Sequence, residues 1–101
     1  MEVIWTKEAI RKLNKIVDHI AKDDYPTAEK WALKLMEKTD RLIGQPESGR
    51  IVPEYSDPGL REIIHGNYRI IYRIREEETK VYIQTVWHVR QLPPNTSRGL
   101  R

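Results

Sequence analysis

The sequence predicts an α+β fold: an N-terminal strand, an antiparallel helical hairpin and a three-stranded antiparallel meander, with the helices packed on one sheet face. Three observations predict it. Apolar residues recur at helical spacing through the first 44 residues, then alternate at strand spacing beyond residue 60. Two turn signals, Gly66-Asn67 and residues 76–79, cut that second stretch into three pieces. The chain of 101 residues is long enough for one domain. We assign it to residues 1–91 and expect 92–101, which open on Leu92-Pro93-Pro94, to fray as a flexible tail.

Each element follows from local chemistry. Val3 and Trp5 alternate with Ile4, as a short strand requires. Thr6 is a good N-cap, and Ala9, Leu13, Ile16, Val17 and Ile20 mark one face of the helix behind it. Asp23-Asp24-Tyr25-Pro26 ends that helix, because a residue before proline avoids helical dihedrals. A second helix is expected from near Pro26 or Thr27, with the stripe Ala28, Trp31, Ala32, Leu35, Thr39 and Leu42 and Gly44 as its C-cap. Residues 45–49 read as loop, 50–53 as a brief extended piece, and Ser56-Asp57-Pro58-Gly59 as a turn. Strands are expected at Leu60–His65, Tyr68–Arg75 and Lys80–His88.

Taking the two turns literally sets the register, because residues directly opposite one another share a sheet face. Ile63, Tyr68, Ile70, Tyr72, Ile74, Val81, Ile83, Thr85 and Trp87 then form an apolar face for the helices. Leu60, Glu62, Ile64, Arg69, Ile71, Arg73, Tyr82, Gln84, Val86 and His88 form the other, mixed and partly wet, with Arg90 near it. A slip of one residue would invert the assignment.

Composition narrows the chemistry. There is no cysteine, which removes disulfides, thiolate metal sites and cysteine nucleophiles. No apolar stretch approaches the ~20 residues that cross a bilayer, and no signal-like N-terminus is seen, so a cytoplasmic protein is expected. No glycine-rich phosphate loop, nucleophile elbow or metal-ligand spacing occurs, so neither cofactor nor metal is implied. The net charge is +3, and seven of the eight Lys precede residue 45 while eight of the ten Arg follow it. Arginine is the better residue for bidentate contacts to phosphate or carboxylate. On the mixed face, Arg69, Arg73, Tyr82, Gln84 and His88 converge beside Glu62. A surface ion-pair cluster would account for Glu62, Arg69 and Arg73, and an anion-handling site with His88 as proton carrier would account for the whole group.

Four stretches, in order, resemble the RelE/ParE toxin superfamily. Residues 46–54 match its "P-x-x-G-R-x-V-P-E" run, Leu60-Arg61-Glu62-Ile63 and Asn67-Tyr68-Arg69-Ile70-Ile71-Tyr72-Arg73 its "R-E-L … Y-R-I-I-Y" core, and Val86-Trp87-His88-Val89-Arg90 its "V-x-H-x-R" close. The resemblance covers about residues 2–91 and implies the toxin of a type II toxin–antitoxin pair, also called a plasmid stabilisation protein. A short acidic antitoxin would wrap it, and the free toxin would arrest growth. RelE-like members cut messenger RNA on the ribosome, whereas ParE-like members poison DNA gyrase and lack a complete nuclease set.

Carried over by position, Arg69 would bind phosphate, Glu54 would act as base, His88 as general acid, and Arg90 matches the arginine after the last strand. The sequence departs from the nuclease pattern in two places. No tyrosine follows Tyr82, and Arg61-Glu62-Ile63 stands where a lysine pair is expected. The expectation is therefore a ParE-like inhibitor of gyrase, with Arg50, Arg61, Arg73, Tyr82 and Gln84 binding target or antitoxin. The alternative is a ribosome-dependent mRNA endoribonuclease using Glu54, Arg69, His88 and Arg90.

Overall fold

The computed structural model describes residues 1–91; the expected tail at 92–101 lies outside the described residues. Strand β1 (Glu2–Trp5) leads into α1 (Lys7–Asp23) and α2 (Tyr25–Asp40), and β2 (Arg50–Ile51), β3 (Leu60–His65), β4 (Tyr68–Arg75) and β5 (Lys80–His88) follow. They form one five-stranded sheet in the order β1-β5-β4-β3-β2. The expected α+β architecture is present, and the brief piece after Gly49 joins the sheet as its edge strand β2.

Thr6 caps α1 by accepting a hydrogen bond from the Ala9 N–H at 3.2 Å. Asp24 serves twice, ending α1 through its N–H to the Ile20 carbonyl and preceding α2 as N-cap. Helix α2 starts one residue before Pro26 and stops at Asp40; a 3₁₀ turn over Arg41–Ile43 carries the chain on to Gly44. Gly44 sits at φ −100°, so the left-handed cap expected there is not used. Gly66 does use its freedom, at φ +58°, in the β3–β4 turn. The second hairpin closes through a 3₁₀ turn at Glu76–Glu78, with Thr79 at φ +53°.

β3 and β4 pair in the expected register, from Leu60 opposite Arg73 to His65 opposite Tyr68. β4 and β5 begin as expected, with Arg75 opposite Lys80 and Arg73 opposite Tyr82. A bulge then intervenes: Tyr72 faces Ile83 but Ile71 faces Thr85, leaving Gln84 as the extra residue. Beyond it Val86, Trp87 and His88 are displaced by one, whereas Thr85 keeps the expected helix side, where its hydroxyl accepts from Lys12 Nζ at 2.8 Å. Val86 and His88, expected on the mixed face, lie opposite Ile70 and Tyr68 on the helix side, and Trp87 crosses to lie opposite Arg69.

The core reflects this exchange. On the helix side Ala9, Leu35, Leu42, Ile70, Tyr72, Val81, Ile83 and Val86 form the main apolar cluster. On the far side Val52, Leu60, Ile71 and Trp87 form a second one, with Tyr55 against it. The far face, expected to be mixed and partly wet, is instead largely covered, because the segment after β2 folds across it. Fully burying a side chain of this size stabilises by about 1.5–3 kcal/mol, which is enough to hold so short a segment in place.

Candidate functional site

The segment over the far face is built from the "P-x-x-G-R-x-V-P-E" run, and each position has a physical task. The Tyr72 hydroxyl donates to the Pro46 carbonyl at 2.7 Å and accepts from the Gly49 N–H at 2.9 Å. A Cβ at Gly49 would lie 2.5 Å from that hydroxyl and 2.6 Å from the Glu62 carbonyl oxygen, so only glycine fits. Val52 is buried in the second cluster. Arg61 ties the strand to the same loop, donating from Nε to the Pro58 carbonyl at 3.0 Å and from Nη1 to the Gly49 carbonyl at 3.0 Å.

At the centre lies a chain of alternating charges. Arg69 donates from Nη1 and Nη2 to the two carboxylate oxygens of Glu54, at 2.9 and 2.6 Å, and from Nε to Glu62 Oε1 at 2.7 Å. Glu62 accepts from Arg50 Nε on its other oxygen, at 2.5 Å. Arg69 also lies over the Trp87 ring, 5.7 Å from its centroid. The Glu62 side chain is wholly buried and that of Arg69 is 7% exposed, whereas Arg50 is 60% exposed. Glu54 is held below the usual carboxylate range, first by its hydrogen bonds from Arg69 and against the opposing effect of burial. Those same bonds, with Glu62 adding to them, keep Arg69 more firmly protonated than a free arginine.

A second ion pair flanks this one. Arg73 reaches Asp57 Oδ2 with both Nη atoms at 3.1 Å. Asp57 also accepts from the Gly59 N–H at 2.9 Å, and that bond is the main reason its carboxyl is held low. Tyr82 donates to Glu78 at 2.7 Å. Gln84 is half-buried at the bulge.

Of the residues proposed for cleavage, the structure brings Glu54 and Arg69 together and turns them on each other. It does not bring His88 to them. His88 stacks edge-on against Tyr68 on the helix side, with ring centroids 5.5 Å apart, and its Nδ1 accepts from the Arg90 N–H at 3.1 Å. The Arg90 side chain is at the surface. The residue that sequence reasoning undervalued is Glu62, the hub shared by Arg50 and Arg69. Its alternation placed it beside Arg69, but burial gives it that role. The bulge that moved His88 has no signal in residue alternation.

Comparison with known proteins agrees with this architecture. A family model described as "ParE toxin of type II toxin-antitoxin system, parDE" matches residues 3–93. The chain belongs to the ParE toxin family. A Sinorhizobium fredii protein described as "Putative toxin Y4kP" is 34% identical over 96 residues, covering 89% of this chain and 90% of that one. Among solved structures, the chromosomal ParDE TA system from P. aeruginosa superposes on the toxin with a TM-score of 0.70 at 22% identity. The match covers 87% of this toxin and 95% of that chain. The RelBE2 toxin–antitoxin complex from Mycobacterium tuberculosis matches at TM-score 0.59 and 27% identity, over 86% and 88% of the two chains. The intact E. coli RelBE complex shares the fold at TM-score 0.55 and 17% identity, over 85% and 97%. The protein is thus a type II toxin of the ParE/RelE superfamily.

Proposed function

We propose that this toxin arrests growth by binding a protein target, DNA gyrase, as the ParE branch does, and that an acidic antitoxin neutralises it. The observation carrying this reading is the engagement of Glu54 by Arg69, with His88 on the opposite face of the sheet. A general base must be free to reach its proton, and an electrophilic arginine must face the developing charge. Glu54 gives both oxygens to Arg69, and all three of the bonding nitrogens of Arg69 are given to carboxylates. Spent in this way, the pair supports folding better than phosphodiester cleavage.

The RelE-like alternative, a ribosome-dependent mRNA endoribonuclease, would need this pair to open and His88 to act from elsewhere. Induced expression in a bacterial host separates the two. A DNA-damage response with intact transcripts is expected, and His88→Ala and Glu54→Gln are expected to leave toxicity largely intact. A folded His88→Ala variant that loses toxicity, with cut transcripts in the wild-type culture, would overturn the gyrase reading.

A further inference from the structure

The outer edge of β3 is only partly paired. β2 covers it at Arg61 and Glu62, and no described strand lies beside Ile64. The direction of the Ile64 backbone groups follows from the ladder. The Leu60 carbonyl accepts from Val52 N–H on the outer side and the Gly59 carbonyl accepts from Ile74 N–H on the inner side. By alternation Glu62 and Ile64 also present their backbone groups outward. The Ile64 carbonyl accepts from Lys38 Nζ at 3.1 Å. Among the described residues no acceptor takes the Ile64 N–H, which lies next to a side chain that is 41% exposed.

This open edge forms one wall of a cleft whose other lining includes Lys38, Arg41, Gln45, Ser48 and Arg50. Three cations thus surround one exposed aliphatic side chain and one free backbone donor. The carboxylate lining the same cleft, Glu62, is already shared between Arg50 and Arg69. Among the described residues lining the cleft, Lys38 and Arg41 therefore have no carboxylate of their own to meet.

We infer that this cleft seats an extended acidic segment of the antitoxin, lying along the β3 edge. This rests on the antitoxin reading above and goes beyond it by naming the surface. A backbone carbonyl of the segment takes the Ile64 N–H, its carboxylates meet Arg41, Arg50 and Lys38, and an apolar side chain covers Ile64. The cleft suits a peptide better than RNA. No aromatic side chain lines it to stack on a base, and the open backbone donor is what strand addition uses.

The test titrates the toxin with the purified product of the short reading frame adjacent to its gene, and follows exchange of the Ile64 amide. Binding is expected to slow that exchange at least about tenfold. The double variant Lys38→Glu/Arg41→Glu, both surface positions outside the buried ion network, is expected to bind about tenfold or more weakly, mainly through a slower on-rate. Equal binding by the variant with Ile64 exchange unchanged overturns the cleft assignment and leaves the antitoxin reading standing. No binding by the wild type overturns the antitoxin reading, and this inference with it. If a single-stranded RNA protects Ile64 and the protein does not compete, the surface belongs to nucleic acid and the proposal is overturned.

Discussion

Replacing Arg69 by methionine tests whether the central ion network is scaffolding. The methionine keeps the length and apolar stem but leaves Glu62 with Arg50 as its sole cationic partner. Glu62 has no solvent exposure and Arg50 is mostly exposed, so the carboxylate stays buried and half-compensated. Breaking a buried pair in this way costs about 3–5 kcal/mol. For a domain of about 100 residues each kcal/mol moves Tm by about 4–8 °C, so a fall on the order of 20 °C is expected. Thermal and urea unfolding of the purified toxin would measure it. The informative partner is the double variant Arg69→Met/Glu62→Leu. Removing both buried charges removes the desolvation penalty as well, and stability should return to within about 1–2 kcal/mol of wild type. Glu54 and Arg50, both with solvent access, can tolerate the loss. Toxicity should follow stability, lost in the single variant and recovered in the double. A single variant as stable as wild type would refute the buried-pair argument. A double variant that is stable but harmless would refute the structural role and return Arg69 to the functional site.

Four other outcomes follow from the same geometry. Gly49→Ala forces a Cβ against the Tyr72 hydroxyl and should cost about 1–3 kcal/mol by urea unfolding. Tyr72→Phe, which keeps the packing and removes both phenol hydrogen bonds, should cost a similar amount by leaving the Pro46 carbonyl and Gly49 N–H unpaired. His65 is buried against Trp31, donates from Nε2 to the Trp31 carbonyl at 3.0 Å, and has an unpartnered Nδ1; burial, aided by Lys38 and Lys34, holds its pKa below the ordinary 6.5. Below pH 6.5 the unfolded chain takes up a proton that the folded one refuses, so stability should fall with pH from there until the depressed folded pKa is passed. A pH series of melts on His65→Phe should lack that slope. Glu54 and Asp57, both held low in the fold, contribute stability that is present above their unfolded values of 4.5 and 3.8 and is lost as pH falls further. Glu54→Gln should flatten the acid limb of the stability curve.

The architecture was legible because its signals are local. Thr6, the Asp24-Tyr25-Pro26 break and the Gly66 turn each act on their own few residues, and the structure uses all three. The bulge at Gln84 was not legible, since nothing in the alternation of β5 distinguishes a strand with one extra residue from one without. That single insertion reversed the faces of Val86, Trp87 and His88 and removed His88 from the expected group. The closure of the far face was equally hidden. Val52, Glu54 and Asp57 lie in a stretch that reads as loop, and their partners Leu60, Arg69 and Arg73 are reached only through tertiary contact.

That closure bears on what the family motif can say about the target. In "G-R-x-V-P-E" the glycine admits the Tyr72 hydroxyl, the arginine meets Glu62, the valine fills the second cluster and the glutamate clamps Arg69. In "Y-R-I-I-Y-R" the first tyrosine stacks on Trp31 and His88, the isoleucines supply one side chain to each cluster, and the last arginine holds Asp57. Both runs are explained by the need to fold one segment across the back of a small sheet. Residues spent on the fold are withdrawn from cleavage chemistry, as Glu54 and Arg69 are, but they do not name the partner that is bound. The choice of target must then be written in side chains with little folding work to do. Arg41 at the end of α2, the exposed Ile64 edge and the surface arginine after β5 are such positions. Exchanging them between two toxins of different target, with the motif untouched, should move specificity, whereas exchanging the motif should change only stability.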